Sequence, residues 1–110
     1  MMNQVIMVGR LVREVEVKEL ESGKKVSNIT IACSRPYKNA DGEYDTDFID
    51  VVLWDGIASN TKEYCKKGDI LGVKGRLQTN IYEKEDGTKI KKQEVIAEKL
   101  TFLSSSNNKY

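Results

Sequence analysis

Most of this chain alternates between apolar and polar residues, and β-branched residues occupy many of the apolar positions. A period of two is typical of strands that bury one face. Short segments rich in Gly, Asp, Asn and Ser interrupt the pattern. The alternation predicts five strands, at residues 3–20 with a bend near Arg13, 25–35, 47–54, 70–84 and 88–103. Because Pro36 has no backbone N–H, we expect the second strand to end before it.

The period changes after Trp54, where apolar and small residues recur at helical spacing. These residues are Ile57, Ala58, Thr61, Tyr64 and Cys65. Asp55 is the expected N-cap of a helix of about three turns. Lys66 and Lys67 precede Gly68, as a basic last turn and a glycine stop commonly do. The segment between the third and fourth predicted strands is therefore predicted to be a helix.

The predicted order is three strands, one helix and a long hairpin that turns at Glu85, Asp86 and Gly87. This is the order of an OB-fold, an all-β, five-stranded Greek-key barrel with one helix between strands three and four. A chain of 110 residues is too short for two independent cores. We expect one domain at residues 1–103 and a short disordered tail at 104–110.

Successive side chains of a strand point to opposite faces, so the third strand separates a core face from an exposed one. Ile49, Val51 and Leu53 belong to the core face, which leaves Phe48, Asp50, Val52 and Trp54 outside. On the fourth strand, Leu71, Val73, Gly75 and Leu77 share one face. Lys74, Arg76 and Tyr82 lie on the other, together with Gly72, Gln78 and Asn80. Aromatic rings among cations are typical of surfaces that bind single-stranded nucleic acid, although Phe48 and Trp54 also suit packing under a loop or at a subunit interface.

The first strand is apolar on both faces at Val5, Ile6, Met7 and Val8. One face of a small barrel is normally hydrated, so something else is expected to cover the outer side. A homo-oligomer formed through this strand is the simplest explanation. Coverage by the barrel's own helix is the alternative.

Composition excludes several classes of function. The chain has 18 basic and 17 acidic residues, a net charge of +1, so no basic excess indicates a polyanionic partner. Histidine is absent, which excludes histidine-dependent triads and metal sites. Cys33 and Cys65 form no Cys-x-x-Cys pair and are expected to be free thiols. No apolar segment is long enough to span a membrane, so we expect a cytoplasmic protein without metal or cofactor.

Five segments, in their order and spacing, resemble the bacterial single-stranded DNA-binding protein family. They are MNQVIMVGRL at 2–11, VSNITIA at 26–32, DFIDVVLW at 47–54, KKG at 66–68 and GRLQT at 75–79. The resemblance covers residues 2–103. It implies a non-enzymatic OB-fold, usually a homotetramer, that wraps single-stranded DNA with little sequence preference during replication, repair and recombination. A nucleoid-associated cytoplasmic location follows from that role.

The resemblance also implies which residues form the site. The stacking aromatics are Tyr37, Phe48, Trp54 and Tyr82. The phosphate contacts are Arg10, Arg35, Lys38, Lys67, Lys74, Arg76 and Lys84. Asp50 and Asn80 stand where relatives often carry basic residues, so weaker or more salt-sensitive binding is expected.

The C-terminal end departs from the family's pattern. Replicative members carry a flexible tail with an acidic, Phe-terminated motif, whereas this chain ends in Lys109 and Tyr110. Recruitment of replication enzymes through such a tail is therefore not expected. Two other functions stay open from the sequence: an RNA-preferring or primosome-type OB-fold accessory protein, and a purely structural oligomerisation module.

Overall fold

A computed structural model describes residues 1–105 of the chain. Its elements are β1 (Val5–Leu11), β2 (Lys18–Glu19), β3 (Lys25–Lys38), β4 (Tyr44–Trp54), α1 (Asp55–Tyr64), β5 (Ile70–Glu83) and β6 (Lys89–Ser104). Strand β6 includes Ser104, the first residue of the predicted tail, and residues 106–110 of that tail lie outside the described part of the chain.

The long strands close into a barrel. Neighbouring strands follow the order β1, β5, β6, β4, β3, and a further pairing between β1 and β3 completes the circle. All these pairings are antiparallel except β4 with β6, where Val51 lies opposite Val95 and Val52 opposite Ile96. With α1 between the third and fourth barrel strands, this confirms the predicted OB-fold. The two-residue β2 pairs only with β3 and lies outside the barrel circuit.

The barrel interior is filled by the inward side chains of the five long strands. The least exposed apolar ones, at 2% or less, are Leu11, Ile29, Ile31, Val51, Leu53, Leu71 and Val73. Burying each such side chain stabilises the fold by about 1.5–3 kcal/mol relative to exposure. The alternation predicted for the third strand is confirmed at Val51 and Leu53, which are buried, and at Ile49, which packs against the core. It is wrong at Val52, which it places on the exposed face, because Val52 is only 6% exposed and lines a groove with Tyr82 and Glu94.

Several expectations about strand and helix ends are wrong, including the start of the third predicted strand, which begins at Tyr44 rather than at residue 47. The first strand ends at Leu11 rather than near residue 20, because the chain then leaves the sheet and buries Val15 in the core. The strand before Pro36 continues to Lys38, since Pro36 lies in a register shift between Ser34 and Lys38 where no regular pairing is required. Asp55 is the first helical residue rather than the N-cap, and its Oδ1 instead accepts a hydrogen bond of 3.0 Å from the Lys25 backbone N–H.

Helix α1 ends at Tyr64, earlier than the glycine stop at Gly68 predicts. The residues after it turn back toward the barrel, where Gly68 donates a backbone hydrogen bond of 2.7 Å to the Leu11 carbonyl. Gly68 adopts a φ of 95°, a left-handed conformation that favours glycine. The helix packs on β3, β4 and β6 and buries Ala58 and Thr61.

The β5–β6 hairpin extends past the barrel. Its strands stay paired from Gly75 opposite Ala97 to Glu83 opposite Lys89. The turn closes as predicted: Gly87 has a φ of 85°, and the Lys84 N–H donates to the Thr88 carbonyl at 2.8 Å. Leu77, assigned by alternation to the core face, is 41% exposed because β1 pairs with β5 only as far as Gly75 and leaves the next inward position uncovered.

Candidate nucleic-acid interface

One outer surface of the barrel collects the exposed rings of two strands. On β4, Phe48 is 67% exposed and Trp54 is 38% exposed. On β5, Tyr82 lies on the outward side shared with Arg76 and Gln78 and is half exposed. Strand β6 runs between β4 and β5 and adds Lys92 and Glu94 to the same side. We call this surface the aromatic face; its members are Phe48, Trp54, Arg76, Gln78, Tyr82, Lys92 and Glu94.

Tyr82 is held in place by a hydrogen bond across the hairpin. Its hydroxyl donates to Glu94 Oε1 at 2.5 Å. This bond, followed by burial and the negative charge of Glu94, raises the pKa of Tyr82 above its usual value. The phenol therefore stays protonated at neutral pH, and the ring is fixed on the hairpin while one of its sides faces solvent.

Tyr37 is also exposed, but it lies in the irregular part of β3 next to Pro36. The nearby Arg35 is already engaged: its Nε and Nη2 donate to the Asp47 carboxylate at 2.9–3.2 Å, and Asp45 lies 3.8 Å away. The hydrogen bond from Arg35 lowers the pKa of Asp47, and the same contact raises the pKa of Arg35. A phosphate that binds Arg35 must therefore compete with Asp47.

The other predicted phosphate contacts are spread over the molecule. Arg76 lines a groove of about 310 Å³ beside Trp54, and Lys84 lies at the hairpin turn beyond Tyr82. Lys38 lies 5.9 Å from the ring centre of Tyr44, at the end of β3. Three further residues lie away from the aromatic rings: Arg10 donates to the Gly68 carbonyl at 2.6 Å, Lys67 follows the helix, and Lys74 lines a groove beside β1.

Two cations that the sequence reasoning did not select line a second groove, next to Tyr82. They are Arg13, just after β1, and Lys92, on β6. This groove has a volume of about 250 Å³ and is also lined by Asn28, Asp50, Val52, Tyr82 and Glu94. Alternation along β6 was a usable signal, since Ile90, Lys92, Glu94 and Ile96 share one side. No local pattern marks Arg13.

The apolar positions of β1 divide between two sides. Val5 and Met7 pack against the core, whereas Ile6 and Val8 are 72% and 58% exposed. The exposed pair lines an apolar groove of about 270 Å³ that Gly72, Lys74, Lys99, Thr101 and Leu103 complete. Helix α1, the alternative cover for this strand, packs on β3, β4 and β6 instead.

The part of the chain that the structure describes has few other groups that suggest a function. Both cysteines are free, and burial is the main cause that raises the pKa of each thiol. Within residues 1–105, no three or more His, Cys, Asp or Glu side chains are grouped so that they can hold a metal ion. None of the helices described is both long and apolar enough to cross a membrane.

Comparison with known proteins identifies the family of this chain. The model of the single-strand binding protein family matches residues 2–103. The chain belongs to this family. It is 41% identical to single-stranded DNA-binding protein B of Bacillus subtilis over 94% of this chain and 91% of that protein. It is 43% identical to single-stranded DNA-binding protein 3 of Listeria innocua over 98% of this chain and 68% of that protein.

Membership of the single-strand binding protein family confirms the resemblance drawn from the five sequence segments. The family consists of binding proteins, which agrees with the prediction that this protein is not an enzyme. The stacking and phosphate roles assigned to individual residues remain predictions.

Proposed function

We propose that this protein binds single-stranded DNA along the aromatic face and protects it during replication, repair or recombination. The observation that carries the proposal is the exposure of Phe48, Trp54 and Tyr82 on one outer surface of an OB-fold barrel. The relatives are named single-stranded DNA-binding proteins, which supports the same ligand.

Stacking explains why exposed rings suit this ligand. Every nucleobase has a π-face, so a ring binds any base and contributes about 1–3 kcal/mol per stacked base. Phe48 is 67% exposed, and the contact of its apolar ring with water is unfavourable unless a ligand covers it. Phe48, Trp54 and Tyr82, with Tyr37 at the edge, therefore provide up to four positions for bases with little sequence preference.

Phosphate contacts come from cations on the aromatic face and next to it. Arg13 and Lys92 line the groove beside Tyr82, and Arg76 lines the groove beside Trp54. Binding at such cations releases counterions, so affinity falls as the salt concentration rises. A net charge of +1 does not oppose this mechanism because the local arrangement of charge, rather than the total, sets the contacts.

The two neighbouring lysines Lys91 and Lys92 test the proposal. They lie on opposite sides of β6, and only Lys92 lines the groove beside Tyr82. We expect Lys92→Ala to reduce the slope of log affinity for oligo-dT against log salt by about 0.7, the value for one lost phosphate contact on a single strand. Lys91→Ala is the matched control and should keep the parent slope. Equal slopes for the parent and both variants, or oligo-dT binding that ignores salt, would contradict the proposed phosphate contacts.

We also propose that copies of this chain assemble as a homotetramer, with the apolar groove at Ile6 and Val8 as one interface. An exposed pair of β-branched side chains on a barrel strand is best covered by another subunit. Ile6→Lys would place a third ammonium beside Lys74 and Lys99 in that groove. We expect light scattering to give a lower mass for this variant than for the parent, with unchanged circular dichroism. An unchanged mass would remove this strand from the interface.

A further inference from the structure

The groove beside Tyr82 carries a charge pattern unlike that of a surface made only for stacking and phosphates. Two carboxylates, Asp50 on β4 and Glu94 on β6, line it together with two cations and one amide. We call it the Glu94 groove. Its volume of about 250 Å³ is smaller than the sites that hold drug-sized ligands, which suits a single nucleobase. Its lining residues are Arg13, Asn28, Asp50, Val52, Tyr82, Lys92 and Glu94.

Glu94 is the unusual member of this set. It is only 8% exposed, and buried carboxylates are normally paired or extensively hydrogen-bonded. The hydroxyl of Tyr82 donates to its Oε1, and within residues 1–105 no cation lies close enough to form an ion pair with it. An ionised carboxylate accepts about four hydrogen bonds. Glu94 therefore has unused acceptor capacity at the wall of a groove.

Asp50 adds a second carboxylate from the neighbouring strand. One of its oxygens accepts a hydrogen bond of 2.8 Å from the Thr30 hydroxyl, which fixes the side chain. Two negative groups at the same groove repel a phosphate. When a strand crosses here, the part of a nucleotide that enters is the uncharged base, and the phosphates remain outside near Arg13 and Lys92.

We propose that the Glu94 groove is a base-selective subsite that favours a nucleobase with an exocyclic amino group, above all cytosine. This inference rests on the proposed binding of single-stranded DNA. Carboxylates accept hydrogen bonds from the N4 amino group of cytosine. The adjacent acceptors of that base, N3 and O2, match the donors of Arg13, Asn28 and Lys92.

Thymine and uracil present the opposite pattern at the same position. Their O4 is an acceptor, and a carboxylate repels it and leaves both groups without a donor. The ring of Tyr82 stacks on any base, so it contributes affinity without choosing among them. Selection in this groove is therefore assigned to Glu94 and Asp50, and affinity to Tyr82.

The test compares oligo-dC with oligo-dU of the same length, since the two pyrimidines differ only at position 4 and in the protonation of N3. Binding is measured at one salt concentration and slightly alkaline pH, with a chelator present to exclude carboxylate-bound metal. We expect Glu94→Gln to lower the preference for oligo-dC over oligo-dU by about five- to tenfold relative to the parent. Asp50→Asn should lower it in the same direction.

One control separates selection from the loss of a negative charge alone. Glu98→Gln removes the same charge from an exposed position of β6 that does not line the groove, and it should keep the parent preference. Circular dichroism checks that each variant folds. If Glu94→Gln does not fold, Asp50→Asn still tests the subsite.

The outcomes are distinct. If Glu94→Gln and Asp50→Asn change the affinities for oligo-dC and oligo-dU by the same factor, these carboxylates only position Tyr82 or repel phosphates, and the subsite is refuted. Unchanged affinities for both oligomers refute it as well. If the parent protein binds neither oligomer, the proposed function itself fails rather than the subsite.

Discussion

Replacing both Phe48 and Trp54 by alanine is expected to weaken oligo-dT binding by about 2–6 kcal/mol, with each ring contributing about 1–3 kcal/mol. The two residues lie on β4 six positions apart, roughly 20 Å along the strand, so their effects should add. Both are exposed, so their loss should leave the core intact. Fluorescence anisotropy of a labelled oligomer gives the affinities.

Tyr64→Ala provides the matched control for this pair. Tyr64 is as exposed as Phe48, at 69%, but it lies on α1 in a groove with Asn60 and Phe102, away from the aromatic face. We expect its removal to leave oligo-dT affinity within the experimental error. Equal losses in Tyr64→Ala and Phe48→Ala would show that any exposed ring matters and that the aromatic face has no special role.

Gly75→Ala is expected to lower the free energy of unfolding more than the other glycine-to-alanine substitution possible in β5. A Cβ at this position would collide with the Ile96 carbonyl oxygen and lie 3.0 Å from its carbonyl carbon. These are backbone atoms of β6, where the pairing shifts register between Lys74 and Gly75. Overpacking a core usually costs about 1–3 kcal/mol, and a backbone clash that separates two paired strands belongs at or above the top of that range.

Gly72→Ala, three positions earlier on the same strand, is the control for that change. Its Cβ would lie 3.6 Å from Leu103 Cδ1, an ordinary van der Waals contact. Urea unfolding followed by circular dichroism should show a lower free energy of unfolding for Gly75→Ala and little change for Gly72→Ala. Similar stability in the two variants would mean that the β5–β6 pairing at Gly75 is looser than the structure indicates.

The strands that form the candidate site were predictable because their signals are local. Alternation along β4 separates Val51 and Leu53 from Phe48 and Trp54, and the exposures agree with that separation. The helical spacing after Trp54 identifies α1, and Asp86 and Gly87 identify the hairpin turn. Each of these features depends on residues within one turn or one strand, which a single sequence displays directly.

Features that depend on pairing between distant strands were not predictable. Arg35 looks like a free cation in sequence, but β3 and β4 pair so that Asp47, twelve positions away, engages its guanidinium. Pro36 predicts the end of a strand, but the register shift between Ser34 and Lys38 allows the strand to continue past it. Leu77 has the parity of a core residue and is exposed because the pairing of β1 with β5 stops at Gly75.

The Glu94 groove illustrates the same limit. Alternation places Lys92 and Glu94 on one side of β6, but nothing in the sequence indicates that they face Asp50, and Arg13 lies in an irregular segment. Only the placement of β6 between β4 and β5 brings Asp50, Tyr82 and Glu94 to one groove. Asp50 and Glu94 are 44 positions apart, so no local pattern in the sequence indicates that they line the same groove.

Trp54 is the only tryptophan in the chain and lies on the aromatic face, so its fluorescence reports directly on the central claim. The measurement is a titration of the parent protein with oligo-dT at low and at high salt. Saturable quenching that weakens as salt increases is the result expected from base stacking at Trp54 together with counterion release. No change in fluorescence, with folding confirmed by circular dichroism, would contradict the assignment of the aromatic face as the DNA-binding surface.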